Sequence, residues 1–506
     1  MSLKIRALKN IASSWAGLGV NIAVGFFLSP FILHRLGDDA FGLWVLMFSL
    51  TGYYGVFDFG IRSSLVRYVS QFKATNDTSQ LARLINTSLF SYTCVGVALM
   101  VPTLIGSLYV DRIFHIPADF RSDAQILFFM VGIALALGFP LGVAGGILEG
   151  LQSFYILNWT NIVSTLVRAA LIVVALERGL GLLTVAFITV VLPLVTGAVR
   201  AVVAQRMLPL PYGWRYVDRA AFKQVAQYGS VTFMLIVAAR LRFKTDAVII
   251  GGFLSASAIT YFAIGGRLVD YAVDVVTSLA QIFTPMSSEI HATGDYERLR
   301  RLFIAGNRAC ALTMFPICVA LIILGKSVIE AWVGARYISS YSVLLILLIP
   351  STLYFAQATS VRVLYGMSLH RSLAVVALLE GVANVVLSIA LVRPLGIVGD
   401  AIGTAIPLLG TAVFFLPRHL CRVLEIPLGK FLREAYFWPA VLCIPLALAL
   451  KLMQHLFYAH RYPQLLLNLL VGGAVYGAGV LWLIFTREPM GVELRGKMAG
   501  YFQAGN

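Results

Sequence analysis

Apolar residues in this chain run in stretches of about 20, the length that carries a helix across a bilayer, with short polar segments between them. About fourteen such stretches can be marked, from one near residues 11–33 to one near residues 464–486. The loops between them hold no more than about 25 residues, too few for a soluble catalytic domain. The expected fold is therefore all-α, a polytopic membrane protein of about 14 transmembrane helices.

The pattern also repeats. Leu36-Gly37-Asp38-Asp39-Ala40 and the span after it resemble Leu254-Ser255-Ala256-Ser257-Ala258 and its span. At that offset Gln71 meets Glu289, Asp77 meets Asp295, Leu81 meets Leu299 and Arg83 meets Arg301. Further along, Gly150 answers to Gly366 and Gly181 to Gly396. We read residues 1–205 as an N-terminal six-helix bundle and 206–227 as a cytoplasmic linker. A C-terminal six-helix bundle follows over 228–420, and 421–506 are two appended helices with a cytoplasmic tail. An even number of spans per repeat relates the copies by an axis along the membrane normal, an arrangement suited to transport at the interface between halves.

Composition agrees. The chain is 59% hydrophobic and 12% charged, with a mean hydropathy of +0.86, against a charged fraction of about 25% in soluble domains. Its net charge of +16 gathers on one side of the spans, starting with Lys4, Arg6 and Lys9. Cations within about two turns of a span end are counted with that side because their side chains reach the surface. This bias places both termini in the cytoplasm and accounts for the charge without nucleic acid. There is no phosphate-cradling glycine loop for ATP. The five cysteines and seven histidines lack metal-binding spacing, so no cofactor and no metal is expected.

Polar residues inside spans must face protein or water, because lipid cannot solvate them. One apolar stretch carries Arg240, Arg242, Lys244 and Asp246 at its centre. The next carries Arg267, Asp270, Asp274 and Gln281 on one helical face. Asn158, Asn161, Thr165 and Arg168 form a stripe in span 5, and Glu380, Asn384 and Ser388 another in span 11. Asp58 and Arg62 stand four apart, the spacing of a local helical pair. Gly138, Gly142 and Gly146 share a face suited to close helix packing.

Two readings of the charged centre stay open. In one, spans 7 and 8 form a structural ladder, with Asp246 level with Arg267, Arg242 with Asp270, and Arg240 just above Asp274. In the other, some cations meet an anionic cargo, because ladders in lipid stabilise little and the matching positions of the first repeat, Ile22, Val24, Phe26 and Leu28, carry no charge. The candidates for cargo contact are Arg240, Arg242, Lys244, Arg267, Arg168 and Asn161. Asp246, Asp270, Asp274, Glu380 and Asp58 are candidates for ion coupling or charge pairing.

Leu36-Gly37-Asp38-Asp39-Ala40-Phe41-Gly42-Leu43-Trp44, then Phe57-Asp58-Phe59-Gly60-Ile61 and Leu65-Val66-Arg67-Tyr68, resemble the polysaccharide transporter (Wzx-like) oligosaccharide flippases of the multidrug/oligosaccharidyl-lipid/polysaccharide exporter superfamily. So do Asp246-Ala247-Val248-Ile249-Ile250-Gly251-Gly252-Phe253-Leu254 and Tyr261-Phe262-Ala263. The resemblance implies a V-shaped, alternating-access transporter of the bacterial inner membrane with a cationic cavity lined by spans 1, 2, 7 and 8. It implies a cargo of oligosaccharide on a polyprenyl diphosphate, moved to the outer leaflet for surface polysaccharide assembly, with polymerase and chain-length machinery as partners. Asp270 and Asp274 beside Arg267 depart from a simple cationic cavity. The alternatives are a cation-coupled drug exporter or peptidoglycan-precursor flippase of the same fold, and, from another class, a membrane glycosyltransferase or polymerase.

Overall fold

The computed structural model describes residues 3–243, 245–369, 371–458 and 461–487. Among these it contains helices and turns and no strand. Among the described residues nine helices are long and apolar enough to cross a membrane, and a pair bent by 41°, Ser340–Phe355 with Ala358–Gly366, makes a tenth if it is counted as one span. The shorter or more charged helices explain the distance from fourteen. α2 (Asp38–Tyr54) has 17 residues, and α8 (Arg219–Phe243) and α10 (Ala256–Ala280) carry the charged stretches. Two expected spans are joined in α15 (Arg371–Gly410), which is interrupted at Gly396 by a positive φ of 61°. Glycine takes that conformation without a Cβ clash.

The chain packs into two units, Met1–Ala263 with Ala377–Gly403, and Ile264–Val376 with Thr404–Asn506. The first unit holds α1 (Leu3–Leu36), α2, α3 (Ile61–Ala74), α4 (Thr78–Ile113), α5 (Arg121–Gly150), α6 (Phe154–Glu177), α7 (Leu182–Met207), α8 and α9 (Asp246–Phe253). It also takes the start of α10 and the middle of α15. Its core lies under α3, α4 and α5, where Leu65, Val69, Leu81, Leu84, Ile85 and Ile147 are almost wholly buried. Glycines set the closeness of packing, as small residues do where lipid offers no hydrophobic drive. A Cβ on Gly42 would lie 1.8 Å from the Ala256 carbonyl oxygen, and one on Gly150 would lie 2.7 Å from Val69.

The second unit holds α11 (Phe283–Ala292), α12 (Tyr296–Val333), α13 (Ser340–Phe355), α14 (Ala358–Gly366), α16 (Leu416–Val423), α17 (Leu428–Leu456) and α18 (Tyr462–Arg487). Phe303 stacks on Phe431 with ring centroids 4.6 Å apart in its core. With 38 residues, α12 is about 57 Å long and exceeds a hydrocarbon core of about 30 Å. Its polar start carries Arg300, which bonds Glu297 at 2.7 Å, Glu425 at 3.0 Å and the Leu424 carbonyl at 2.6 Å.

Each unit reproduces a local construction that the sequence repeat singles out. Asp77 accepts from the Gln80 amide at 3.0 Å and starts α4, and Asp295 accepts from the Arg298 amide at 2.9 Å and starts α12. Such caps satisfy amides that the first helical turn leaves without partners. Gly150 meets Val69, and its counterpart Gly366 meets Ser287, the counterpart of Val69.

Candidate functional site

Within the first unit, residues of α2, α3, α5, α6 and α7 line a half-open cavity of about 410 Å³, and Arg62, Arg168 and Arg200 are among them. The floor is the glycine face of α5. A Cβ at Gly142 would meet nothing within 4 Å, whereas one at Gly146 would strike Leu65 at 2.6 Å. The sequence groups these glycines as one packing face; in the structure Gly146 serves packing and Gly142 leaves room.

Arg200 of α7 is held by α6. Its Nε donates to Thr160 Oγ1 at 2.9 Å, and its Nη2 donates to the Leu157 carbonyl at 3.0 Å and to Asn161 Oδ1 at 2.7 Å. Arg168, which lines the cavity, lies two turns along α6 from Asn161, so the i, i+7 spacing puts the two on one helical face. The other half of that polar stripe turns away. Asn158 donates to Ser13 at 2.9 Å and Ser14 at 3.0 Å of α1, and Thr165 donates to Asn21 at 3.3 Å. The expected single face is therefore two faces, offset by three residues.

Arg62 is paired with Glu149 of α5, Nη2 to Oε1 at 2.5 Å and Nε to Oε2 at 3.4 Å. Asp58 instead accepts the Tyr92 hydroxyl. The expected Asp58–Arg62 pair needs a continuous helix between the two residues. The helix is broken there: Gly55–Asp58 is a 3₁₀ turn, and Phe59 and Gly60 have φ of 47° and 72°. Arg200 lies within electrostatic range of both Arg62 and Glu149. The cavity thus carries an arginine cluster with one carboxylate bonded into it.

A second polar group lies elsewhere in this unit. Arg242 and Glu380 are each 5% exposed and meet at 2.5 Å. Asn384 donates to the Arg242 carbonyl at 2.9 Å, and Ser388 donates to Asn384 Oδ1 at 3.0 Å and to the Asp400 carbonyl at 3.2 Å. The stripe of Glu380, Asn384 and Ser388 does share a face, turned toward α8. The approach is close enough that a Cβ on Gly381 would lie 2.8 Å from Leu241. Asp400 is fully buried beside it, and Asp246, the first residue of α9, lies within range of its charge. Arg240 is half-buried in the last turn of α8, and Lys244 lies outside the described residues.

In the second unit Arg267 stands over the Tyr271 ring at 5.0 Å, within electrostatic range of Asp270 and Asp274. These three charged residues are exposed, one or two turns apart on α10. Among the described residues no group of three or more His, Cys, Asp or Glu side chains gathers as a metal site would.

Sequence reasoning passed over Glu149, Arg200 and Asp400. Glu149 and Arg200 lie near the ends of apolar stretches, where charge reads as interfacial. Only the rotation of their helices reveals that they turn inward.

A profile of the polysaccharide biosynthesis protein family matches residues 7–291. The chain is 21% identical over 506 residues to "Uncharacterized membrane protein EpsK" of Bacillus subtilis (strain 168), covering 96% of this chain and 97% of that one. It is 22% identical over 439 residues to "Putative O-antigen transporter" of Shigella flexneri, covering 83% and 99%. In fold it is similar to the lipid II flippase MurJ in an inward closed conformation, with a TM-score of 0.74, 14% identity, and 95% and 99% of the two chains covered.

Proposed function

We propose that this chain, which belongs to the polysaccharide biosynthesis protein family, is a flippase for oligosaccharide carried on a polyprenyl diphosphate. It moves this cargo from the cytoplasmic to the outer leaflet for surface polysaccharide assembly, and it is a transporter, not an enzyme. The observation that carries the reading is that Arg62, Arg168 and Arg200 all line one cavity. Guanidinium groups bind phosphate oxygens through paired, charge-assisted hydrogen bonds, so a diphosphate suits this cluster better than a cationic drug does. The names of relatives, an O-antigen transporter and a lipid II flippase, point the same way.

On this reading the protein works by alternating access in the bacterial cytoplasmic membrane, with both termini inside, as the distribution of Lys and Arg supports. Arg168 and Arg200 receive the diphosphate, and Asn161 and Thr160 keep Arg200 aimed. Arg242 stays bound to Glu380 as part of the scaffold. The test is to delete the gene in a strain with no redundant flippase, extract the polyprenyl-linked glycans and map the leaflet that holds them. Accumulation in the cytoplasmic leaflet, reversed by the wild-type gene and not by R168A/R200A, is expected. Normal delivery without the protein would overturn the reading.

A further inference from the structure

Two of the arginine–glutamate pairs in the first unit have the same chemistry in opposite surroundings. The side chains of Arg242 and Glu380 are 6% and 2% exposed, while those of Arg62 and Glu149 are 50% and 22% exposed. Separating the first pair would strand a charge away from water. Separating the second leaves Arg62 half-exposed and Glu149 partly exposed beside the cavity, at a lower cost than for the buried pair. The two arginines therefore differ in whether they can change partner.

Arg62 also differs from Arg200 in having an anion as its resident partner. Arg200 bonds a hydroxyl, a carbonyl and an amide oxygen, all neutral. Those bonds orient it without neutralising it. Arg62 has a carboxylate across both of its bonding nitrogens, the same edge that a phosphate oxygen pair would use. An entering diphosphate and Glu149 must then compete for one set of donors.

We propose that Glu149 is a displaceable counter-ion: it holds Arg62 until an anion enters, yields it to the diphosphate, and takes it back on release. The proposal rests on the diphosphate reading of the cavity and adds a specificity-determining residue to it. Anions too weakly charged to supplant a carboxylate are left in contact with Arg168 and Arg200 alone. Reclaiming Arg62 gives Glu149 a second role, in letting the cargo go. Asp58, Tyr92 and Arg200 are the other charged or titratable groups within range of Arg62. The hydrogen bond from Tyr92 to Asp58 keeps Asp58 occupied while the exchange takes place.

The experiment measures binding of farnesyl diphosphate to the full chain in phosphatidylcholine nanodiscs. The Arg62–Glu149 pair is partly exposed and so only moderately strong, and removing the competitor with E149Q is expected to tighten binding about fivefold. R62Q is expected to weaken binding, and R62Q/E149Q to bind as R62Q does, because the carboxylate then has nothing to compete for. E177Q, in the exposed Arg35–Glu177 pair outside the cavity, is expected to leave binding unchanged. If E149Q does not fold, E149D, which keeps the charge on a shorter arm, is expected to give part of the gain. Unchanged or weaker binding in E149Q, or a gain of full size in the R62Q background, would overturn the counter-ion proposal and leave the diphosphate reading standing. Wild-type affinity in R168A/R200A, or no binding by the wild type, would remove the diphosphate reading and the proposal with it.

Discussion

Arg200 reaches from α7 to α6 and bonds Asn161 Oδ1 at 2.7 Å, so a side chain expected to touch cargo is occupied in aiming another one. Asn161→Leu should therefore lower transport by releasing Arg200. A hydrogen bond to a charged group contributes about 1.5–3 kcal/mol, which corresponds to a loss of about tenfold or more. Arg200→Ala should lose at least as much, and Arg200→Lys should restore only part, because an ammonium cannot reproduce the planar fork. Leaflet mapping of polyprenyl-linked glycans in complemented cells measures this, with membrane abundance as the control.

Glu380→Ala should act on stability. It strands the Arg242 guanidinium at a position 5% exposed, and breaking a buried pair from one side costs about 3–5 kcal/mol. Replacing both partners with apolar residues of similar size, R242M/E380L, should recover most of that loss. Thermal melting of the detergent-solubilised protein distinguishes the two outcomes.

Much of the fold was legible because hydropathy and a constant offset are properties of the chain read in one dimension. The paired caps at Asp77 and Asp295 are an example: both were picked out by position and both close the same turn. Partnerships between helices were not legible. Glu149 meets Arg62 and Glu380 meets Arg242 because of helix rotation and tilt, which spacing within a single helix does not encode. Asp58 and Arg62 show the converse, since a residue spacing has meaning only while the helix is continuous, and Gly60 ends that continuity.

The two caps offer a check on the repeat itself. Asp77→Ala and Asp295→Ala should each cost about 1 kcal/mol through the loss of one N-cap bond. The two effects should add, because the sites share no partner. Melting of the single and double variants tests both statements.

Glycine substitutions should sort by what lies beyond the missing Cβ. Gly42→Ala drives a methyl group against the Ala256 carbonyl at 1.8 Å, and overpacking of this kind costs about 1–3 kcal/mol or more. It should reduce the amount of folded protein in the membrane. Gly142→Ala has open space and should leave abundance unchanged, while Gly142→Leu fills part of the cavity and should impair transport in a protein that is still well expressed.

The room above Gly142 has a practical use. Of the five cysteines, only Cys94 is exposed, on α4, a helix long and apolar enough to cross a membrane. A Gly142→Cys variant in a Cys94→Ala background would place a single reactive thiol beside the arginines. A water-soluble maleimide added to sealed vesicles of either orientation would reach that thiol only from the side to which the cavity is open. The absent side chain at Gly142 thus makes the transport cycle readable as a labelling rate, timed from each face of the membrane in turn.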